Sequence, residues 1–342
     1  SPIRCKGKTL LVGVGKASTN YCKILQEKIN SHFSGLIISN CNEYVTSDMK
    51  KFNFFYASHP IPDKNGILAS EYLMNEVTRL NYNDLLLFLV SGGGSALLPA
   101  PPHGFDLEDE RILNKSLLSC GAPIQVMNLI RKHFSRIKGG RLAKLAYPAK
   151  VRTLVVSDIP DDDIAQVASG PTLPTLGTPE DALIAIKKYN IKKTQKIKNF
   201  YQSGEVDTPH PDDSYFRKNE KELLASAPKC MKFVVNKAQS MGLKVVVISD
   251  RSQGESKDVA MNHVEIIKDY LTKNLINSFE KVLFLSGGET SVTIANSKGK
   301  GGRNGEYLLS LAIELESVNL GSYVAIAADT DGIDGTEKNA GA

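Results

Sequence analysis

A chain of 342 residues is long for one hydrophobic core, so two domains are expected. With 42% hydrophobic and 23% charged residues it is too apolar for general disorder, and no apolar run reaches the roughly 18 residues of a membrane span. The formal charge of +5 is spread over lysine-rich stretches without interleaved aromatics, which argues against nucleic acid, and five cysteines without a C-x-x-C pair argue against a disulfide framework or zinc site.

Short apolar runs alternate with helical periodicity, the pattern of a mainly parallel sheet covered by helices on both faces. A strand is predicted over 9–14, then a helix on Tyr21, Ile24, Leu25 and Ile29, and strands over 35–39 and 52–57. A helix on Ala69, Leu73, Val77 and Leu80 leads to residues 85–90, apolar without alternation and so a central strand, and 151–156 forms another. Residues 172–220 are rich in Lys, Pro, Asp and Asn with weak periodicity and read as the crossing between domains. A second α/β set follows, with strands over 243–249, 281–285 and 323–328 and helices on Ala260, Val264, Ile267 and Leu271 and over 307–315. The first strand begins almost at once and the chain stops just after a loop, so further chain is expected on both sides. The expected division is 1–175, a crossing segment 176–222, and a second domain over 223–342.

Glycine-rich turns and strand ends carry the candidate chemistry. At Ser91-Gly92-Gly93-Gly94-Ser95 the glycines let backbone approach a ligand, and a helix opening after them would favour phosphate. No Lys follows, so this is not a Walker A loop and its cation must come from elsewhere. Lys16, in Gly13-Val14-Gly15-Lys16-Ala17-Ser18 at the tip of the first strand, is the candidate. The rival reading, a dinucleotide fingerprint, is weakened by Ser18 at the third glycine position and by the lack of an acidic residue in Ile38-Ser39-Asn40. Asp158, directly after the 151–156 strand, is placed for a general base or a magnesium ligand.

The basic run from Ile130 to Arg141 reads by composition as a solvated helix face. If Gly139-Gly140 opens a helix, Arg131 and Lys138 would instead hold a carboxylate or phosphate. In the second half, Ser286-Gly287-Gly288-Glu289 echoes the first glycine turn and could face it across a cleft. Gly301-Gly302-Arg303-Asn304 precedes an apolar helix, and Arg303 would suit charge on a transferring phosphoryl group. Asp329, Asp331 and Asp334 lack the glycine and glutamate of an EF-hand, but carboxylates there could hold magnesium or a substrate hydroxyl.

GVGKAS, SHPIPD, SGGGSALL, the N-x-x-R-x-x-x-S-x-x-K-G-G run from Asn128 to Gly140, SDIPDDD with ASGPT, SGGETSVTI, GKGGRN-x-E and DTDGIDG occur in this order. Together the motifs resemble the glycerate 2-kinase family, which has a DUF4147 domain followed by a MOFRL region and has also carried the name hydroxypyruvate reductase. The resemblance covers nearly the whole chain and places the MOFRL region over 282–342. It implies a Rossmann-like three-layer αβα N-terminal domain, a second α/β domain, and an active site in the cleft between them. The implied reaction is transfer of the γ-phosphoryl group of ATP, with Mg²⁺, to the 2-hydroxyl of D-glycerate.

Lys16, Asp158 and Arg303 fall on positions the family uses functionally, with Asp158 as base or, with Asp331, as magnesium ligand. Nucleotide contacts are expected from Ser91, Gly92, Gly93, Gly94, Ser95, Gly287, Gly288, Glu289, Gly301, Gly302, Asn304 and Asp331, and substrate contacts from Asn128, Arg131 and Lys138. Which turn grips ATP and which the acid is open. The alternatives are an NAD(P)H-dependent hydroxypyruvate reductase and a non-catalytic binding protein derived from the kinase. A cytoplasmic protein is expected, with the mitochondrion left open, without membrane or nucleic-acid partners, and a homodimer is one assembly compatible with this reading.

Overall fold

The apolar run at 85–90 shows no polar alternation because both faces of its strand are covered. β1 (Thr9–Val14) and β4 (Leu85–Val90) are buried at every position and pair in parallel, Thr9 opposite Leu85 through Val14 opposite Val90. β2 (Phe33–Ser39) pairs in parallel with β1 on its other side, β3 (Phe52–Tyr56) with β2, and β5 (Lys150–Val156) with β4. With β6 (Glu220–Ala225) the sheet order is β3-β2-β1-β4-β5-β6. The winding reverses between β1 and β4, and a doubly wound sheet binds ligands beyond the carboxyl ends of its strands at that point.

The computed structural model describes the chain outside residues 1, 2, 4, 41–44, 160–162, 204, 205, 207, 208, 275–280, 295–298, 319–321, 331 and 338. The chain divides into two compact units, Ser1–Leu224 and Ala225–Ala342. In the first, α1 (Ser18–Gln26) and α2 (Lys64–Thr78) follow the β1 and β3 strands. One face of the sheet gathers Val12, Leu36, Phe88 and Val155 with Leu73 of α2. The opposite face gathers Leu11, Ile37, Leu87 and Leu154 with Cys22 of α1.

Between β4 and β5 run α3 (Gly94–Leu97), α4 (Leu107–Ser119), α5 (Ile124–His133) and α6 (Arg141–Ala146). α7 (Pro179–Lys188) and α8 (Gln195–Gln202) follow β5. The expected crossing segment 176–222 is therefore largely part of the first unit. Ala182, Ile186, Ile197 and Tyr201 are buried with Leu113, Ile130 and Phe134 in a third core, and Tyr201 Oη donates to the Ile130 carbonyl at 2.7 Å. Its surface composition hid two helix starts: Thr178 caps α7 by accepting from Asp181 N, with Pro179 in the first turn, and Thr194 caps α8.

The second unit is built on a parallel pair, β7 (Lys244–Glu255) and β8 (Val282–Ser291), with α9 (Ala227–Ser240), α10 (Ser256–Lys273) and α11 (Arg303–Leu315). Its small core joins Ala260 and Val264 to Leu311 and Leu315. The strand expected over 323–328 is not formed among the described residues: only Ala328 bridges, to Gly341, and Val324 and Ile326 are 98% and 81% exposed. Without a neighbouring strand to pair its amides, an apolar run has no ladder to join.

Candidate active site

At the carboxyl ends of β1 and β4 two turns are stitched together by backbone. Lys16 N donates to the Gly92 carbonyl at 3.0 Å, Ser91 N to the Val14 carbonyl at 2.9 Å, and Ala17 N to Ser91 Oγ at 3.1 Å. Gly15 has φ +114°, and a Cβ there would lie 2.3 Å from Ser91 Oγ, so the close approach requires glycine. The Lys16 backbone is thereby fixed beside the glycine turn, which the sequence reading required of it but could not place.

Each of the three glycines after Ser91 faces a different neighbour. A Cβ on Gly92 would sit 1.7 Å from Asp158 Oδ2. One on Gly93, at φ +83°, would meet His59 Cδ2 at 3.2 Å and Lys16 Cγ at 3.5 Å. One on Gly94 would strike the Ala168 Cβ at 2.6 Å. Lys16, Asp158 and His59, from the ends of β1, β5 and β3, therefore converge on Gly92 and Gly93. The expected helix after this turn is only the four-residue α3, so the side chains around the turn matter more than a helix dipole.

His59 is outside the expected site residues, and the signal in the sequence that marks it is its place in the SHPIPD segment. Partial burial, and then the Lys16 ammonium, hold its imidazole below the ordinary histidine range, so it faces the turn as a neutral ring. Ser58 Oγ donates to Asp63, whose other carboxylate oxygen accepts from Gly66 N and caps α2, fixing the segment that carries His59.

From Ser95 a polar chain runs inward. Its hydroxyl shares a 2.9 Å hydrogen bond with Ser169 Oγ, which donates to Asn128 Oδ1 at 3.2 Å. Arg131 donates to the same Asn128 oxygen at 3.2 Å and to Asn114 Oδ1 at 2.9 Å. Asn128 and Arg131, expected to contact substrate, are thus connected to the glycine turn through Ser169, and burial lowers the Arg131 guanidinium. Ala168, Ser169 and Gly170 have φ of 51°, 58° and 57°, a left-handed run that costs non-glycine residues roughly 1 kcal/mol each and needs outside support. Gly139 N and Gly140 N supply it, donating to the Ser169 and Gly170 carbonyls at 3.0 and 2.8 Å.

The basic run 130–141 is not the solvated face its composition suggests. Lys132, His133 and Lys138 are buried, and Gly139-Gly140 does open a helix, α6. Lys138 Nζ lies 2.9 Å from Glu110 Oε1, with both side chains almost wholly covered, so its charge is matched inside the fold rather than offered to a ligand.

In the second unit, Gly287, Gly288 and Glu289 do not form a turn: they continue β8, Ser252 opposite Gly288 and Gln253 opposite Glu289. Gly301 and Gly302 precede α11, which begins at Arg303. Asp334 Oδ1 and Oδ2 accept from Asn304 N and Gly305 N at 2.9 Å, capping that helix from a distant loop. Arg303 Nε donates to Asp329 Oδ2 at 3.0 Å and Nη1 to Glu289 Oε1 at 2.5 Å. Burial alone would lower this guanidinium, but the Asp329 and Glu289 carboxylates outweigh it and hold it above its usual range. Asp331 lies outside the described residues. Among those residues no three His, Cys, Asp or Glu side chains converge as metal ligands, and no helix is long and apolar enough to cross a membrane.

The family model "Domain of unknown function (DUF4147)" matches residues 1–202 and the MOFRL family model residues 282–342. A protein of Agrobacterium vitis whose name proposes hydroxypyruvate reductase activity is 38% identical over 338 residues, covering 98% of this chain and 86% of its own. The D-glycerate 2-kinase of Thermotoga maritima is 33% identical over 334 residues, with 98% and 78% covered. The crystal structure of the glycerate kinase from Thermotoga maritima superposes with a TM-score of 0.81 at 32% identity, covering 98% of this chain and 78% of that one. The chain belongs to the glycerate 2-kinase family, carrying its DUF4147 domain and MOFRL region.

Proposed function

We propose that this chain is a glycerate 2-kinase that transfers the γ-phosphoryl group of ATP to the 2-hydroxyl of D-glycerate. The observation that carries the reading is the convergence of Lys16, His59 and Asp158 on Gly92 and Gly93 at the β1–β4 switch point. A lysine fixed beside a turn with no side chains in the way is suited to the charge of a transferring phosphoryl group. A carboxylate at the neighbouring strand end is suited to take the proton of the attacking hydroxyl.

Asp158 also fits magnesium, which binds one or two carboxylates together with substrate phosphates and water rather than a full protein cage. When bound, the ion would neutralise phosphate charge, and Asp158 is the described residue that would hold it. The names of the Agrobacterium vitis relatives favour a reductase as the second reading. The β2 strand ends at Ser39 and is followed by Asn40, without the acidic residue that holds a ribose, which supports the kinase instead.

The test is an assay with ATP and D-glycerate in which 2- and 3-phosphoglycerate are resolved, run on the wild type, Lys16→Met and Asp158→Asn. We expect 2-phosphoglycerate from the wild type and a loss of about 10²–10⁴ in kcat for Asp158→Asn. NAD(P)H oxidation with hydroxypyruvate, in the absence of phosphorylation, would overturn the reading.

A further inference from the structure

The α5–α6 junction gathers positive charge inside the fold. Arg131, Lys132, Lys138 and Arg141 lie within eleven residues, and the buried carboxylate among them is Glu110 of α4. Glu110 gives Oε1 to Lys138, while its Oε2 has no hydrogen bond among the described residues. Arg141 spends Nη1 on the Lys132 and Lys138 carbonyls, at 2.6 and 3.0 Å. Lys132 is different: it is 3% exposed, and among the described residues its ammonium makes no hydrogen bond or ion pair. Asp163, from the loop after β5, acts on it through space, and His133 beside it on α5 stays neutral.

Its position ties it to the site. Lys132 stands one helical turn after Asn128, and a Cβ on Gly139 would meet the Lys132 Cβ at 3.2 Å. Gly139 N bonds the Ser169 carbonyl, and Ser169 Oγ links Asn128 to Ser95 at the glycine turn. In the same loop Gln166 Oε1 is buried without a partner, while its amide nitrogen donates to Asp163 at 3.1 Å. A lysine whose stem is buried and whose ammonium makes no hydrogen bond or ion pair among the described residues, beside a covered and unmatched acceptor, is suited to completion by a ligand.

We propose that Lys132 holds the carboxylate of the acceptor acid, with Gln166 Oε1 accepting from one of its hydroxyls, on the Ser95 side of the glycine turn. The identity of that acid rests on the kinase reading; the residue assignment goes beyond it. Lys138, the lysine that the motif emphasises, is already matched by Glu110. Burial brings the Lys132 ammonium down to about 8, against a smaller opposing effect of Asp163, so its charge is present at neutral pH and lost above pH 8. A group retained at the expense of stability is expected of a binding residue and not of a structural one.

The experiment is calorimetric titration of the full chain with D-glycerate and, separately, with ATP, for the wild type, Lys132→Met and Lys132→Arg, alongside thermal unfolding. Lys132→Met is expected to weaken D-glycerate binding about 10- to 150-fold, the range for losing a charge-assisted hydrogen bond, and to leave ATP binding unchanged. Its Tm should rise, because a buried charge is removed, and Lys132→Arg should recover part of the affinity. Wild-type D-glycerate affinity should fall above pH 8, and that fall should vanish in Lys132→Met. Unchanged D-glycerate affinity in Lys132→Met, or equal weakening of both ligands with a lowered Tm, overturns the proposal. If Lys132→Met does not fold, Lys132→Arg with the pH series decides by the same criteria. Wild-type binding of D-glycerate without ATP-dependent phosphorylation would instead overturn the kinase reading and leave the Lys132 assignment standing.

Discussion

Two Ser-Gly-Gly segments that look alike in sequence adopt different structures, and the difference lies in their neighbours. Ser91-Gly92-Gly93 leaves the sheet, since the β1–β4 ladder ends at Val14 in register with Val90 and beyond it the two turns are held by the bond from Lys16 N to the Gly92 carbonyl. The chain turns at Gly93, and Asp158, His59 and Lys16 close around it. Ser286-Gly287-Gly288 stays in the sheet, because β7 runs on to Glu255 and supplies partners through two register shifts. There Gly288, at φ +140°, is needed because a Cβ would come within 2.2 Å of the Ser252 carbonyl oxygen. Glycine is required in both segments, in one for access of other side chains and in the other for close strand packing.

Substitutions can break this contrast. Gly92→Ala should have the largest effect: its methyl would displace the Asp158 carboxylate, lowering kcat/KM for phosphorylation about 1,000-fold with circular dichroism unchanged. Gly288→Ala should instead cost stability, about 3 kcal/mol in denaturant unfolding of the second unit, because the obstacle is backbone that cannot rotate away. Gly287→Ala should matter least, under about 1 kcal/mol, because its methyl would meet the flexible Met231 Sδ. An activity loss in Gly287→Ala as deep as that in Gly92→Ala would mean that the second segment is a ligand turn after all.

Each unit also holds a histidine that burial lowers, His133 in the first and His263 in the second, and the first can be read through unfolding in acid. Burial, outweighing a hydrogen bond from Nδ1–H to the Leu129 carbonyl at 2.7 Å, brings His133 in the first unit down to about 4, and its Nε2 has no partner among the described residues. Above pH 6.5 the ring is neutral in both states. As pH falls below 6.5 the unfolded chain takes up a proton that the native state refuses, and the loss of stability reaches about 3 kcal/mol near pH 4, where it levels off. His133→Asn should abolish that slope in pH-dependent unfolding; an unchanged slope would assign it to another group.

Much of the first unit was legible because local pattern and tertiary role agree there. The apolar run at 85–90 could be stable only with both faces covered, and Lys16 and Asp158 at strand ends had one edge of the sheet to occupy. The basic run 130–141 was misread because composition reports charge and not cover: Lys138 is tolerated inside by Glu110, which stands far away in sequence. Residues 176–222 were read as a crossing because their charged outer faces obscure the apolar positions of α7 and α8. The capping signals Thr178-Pro179-Glu180-Asp181 and Thr194 were present and could have placed both helices.

By itself the sequence determined the alternation of strands and helices, the glycine positions where the chain must turn or approach closely, and the motif order that marks the family. These are local consequences of side-chain shape and hydrophobic period. Only the tertiary structure decided which Ser-Gly-Gly became a turn, which lysine was neutralised, and which residues met at the β1–β4 switch point. Those outcomes depend on partners distant in the chain, on whether a strand continues alongside and whether a carboxylate lies within reach of a buried ammonium.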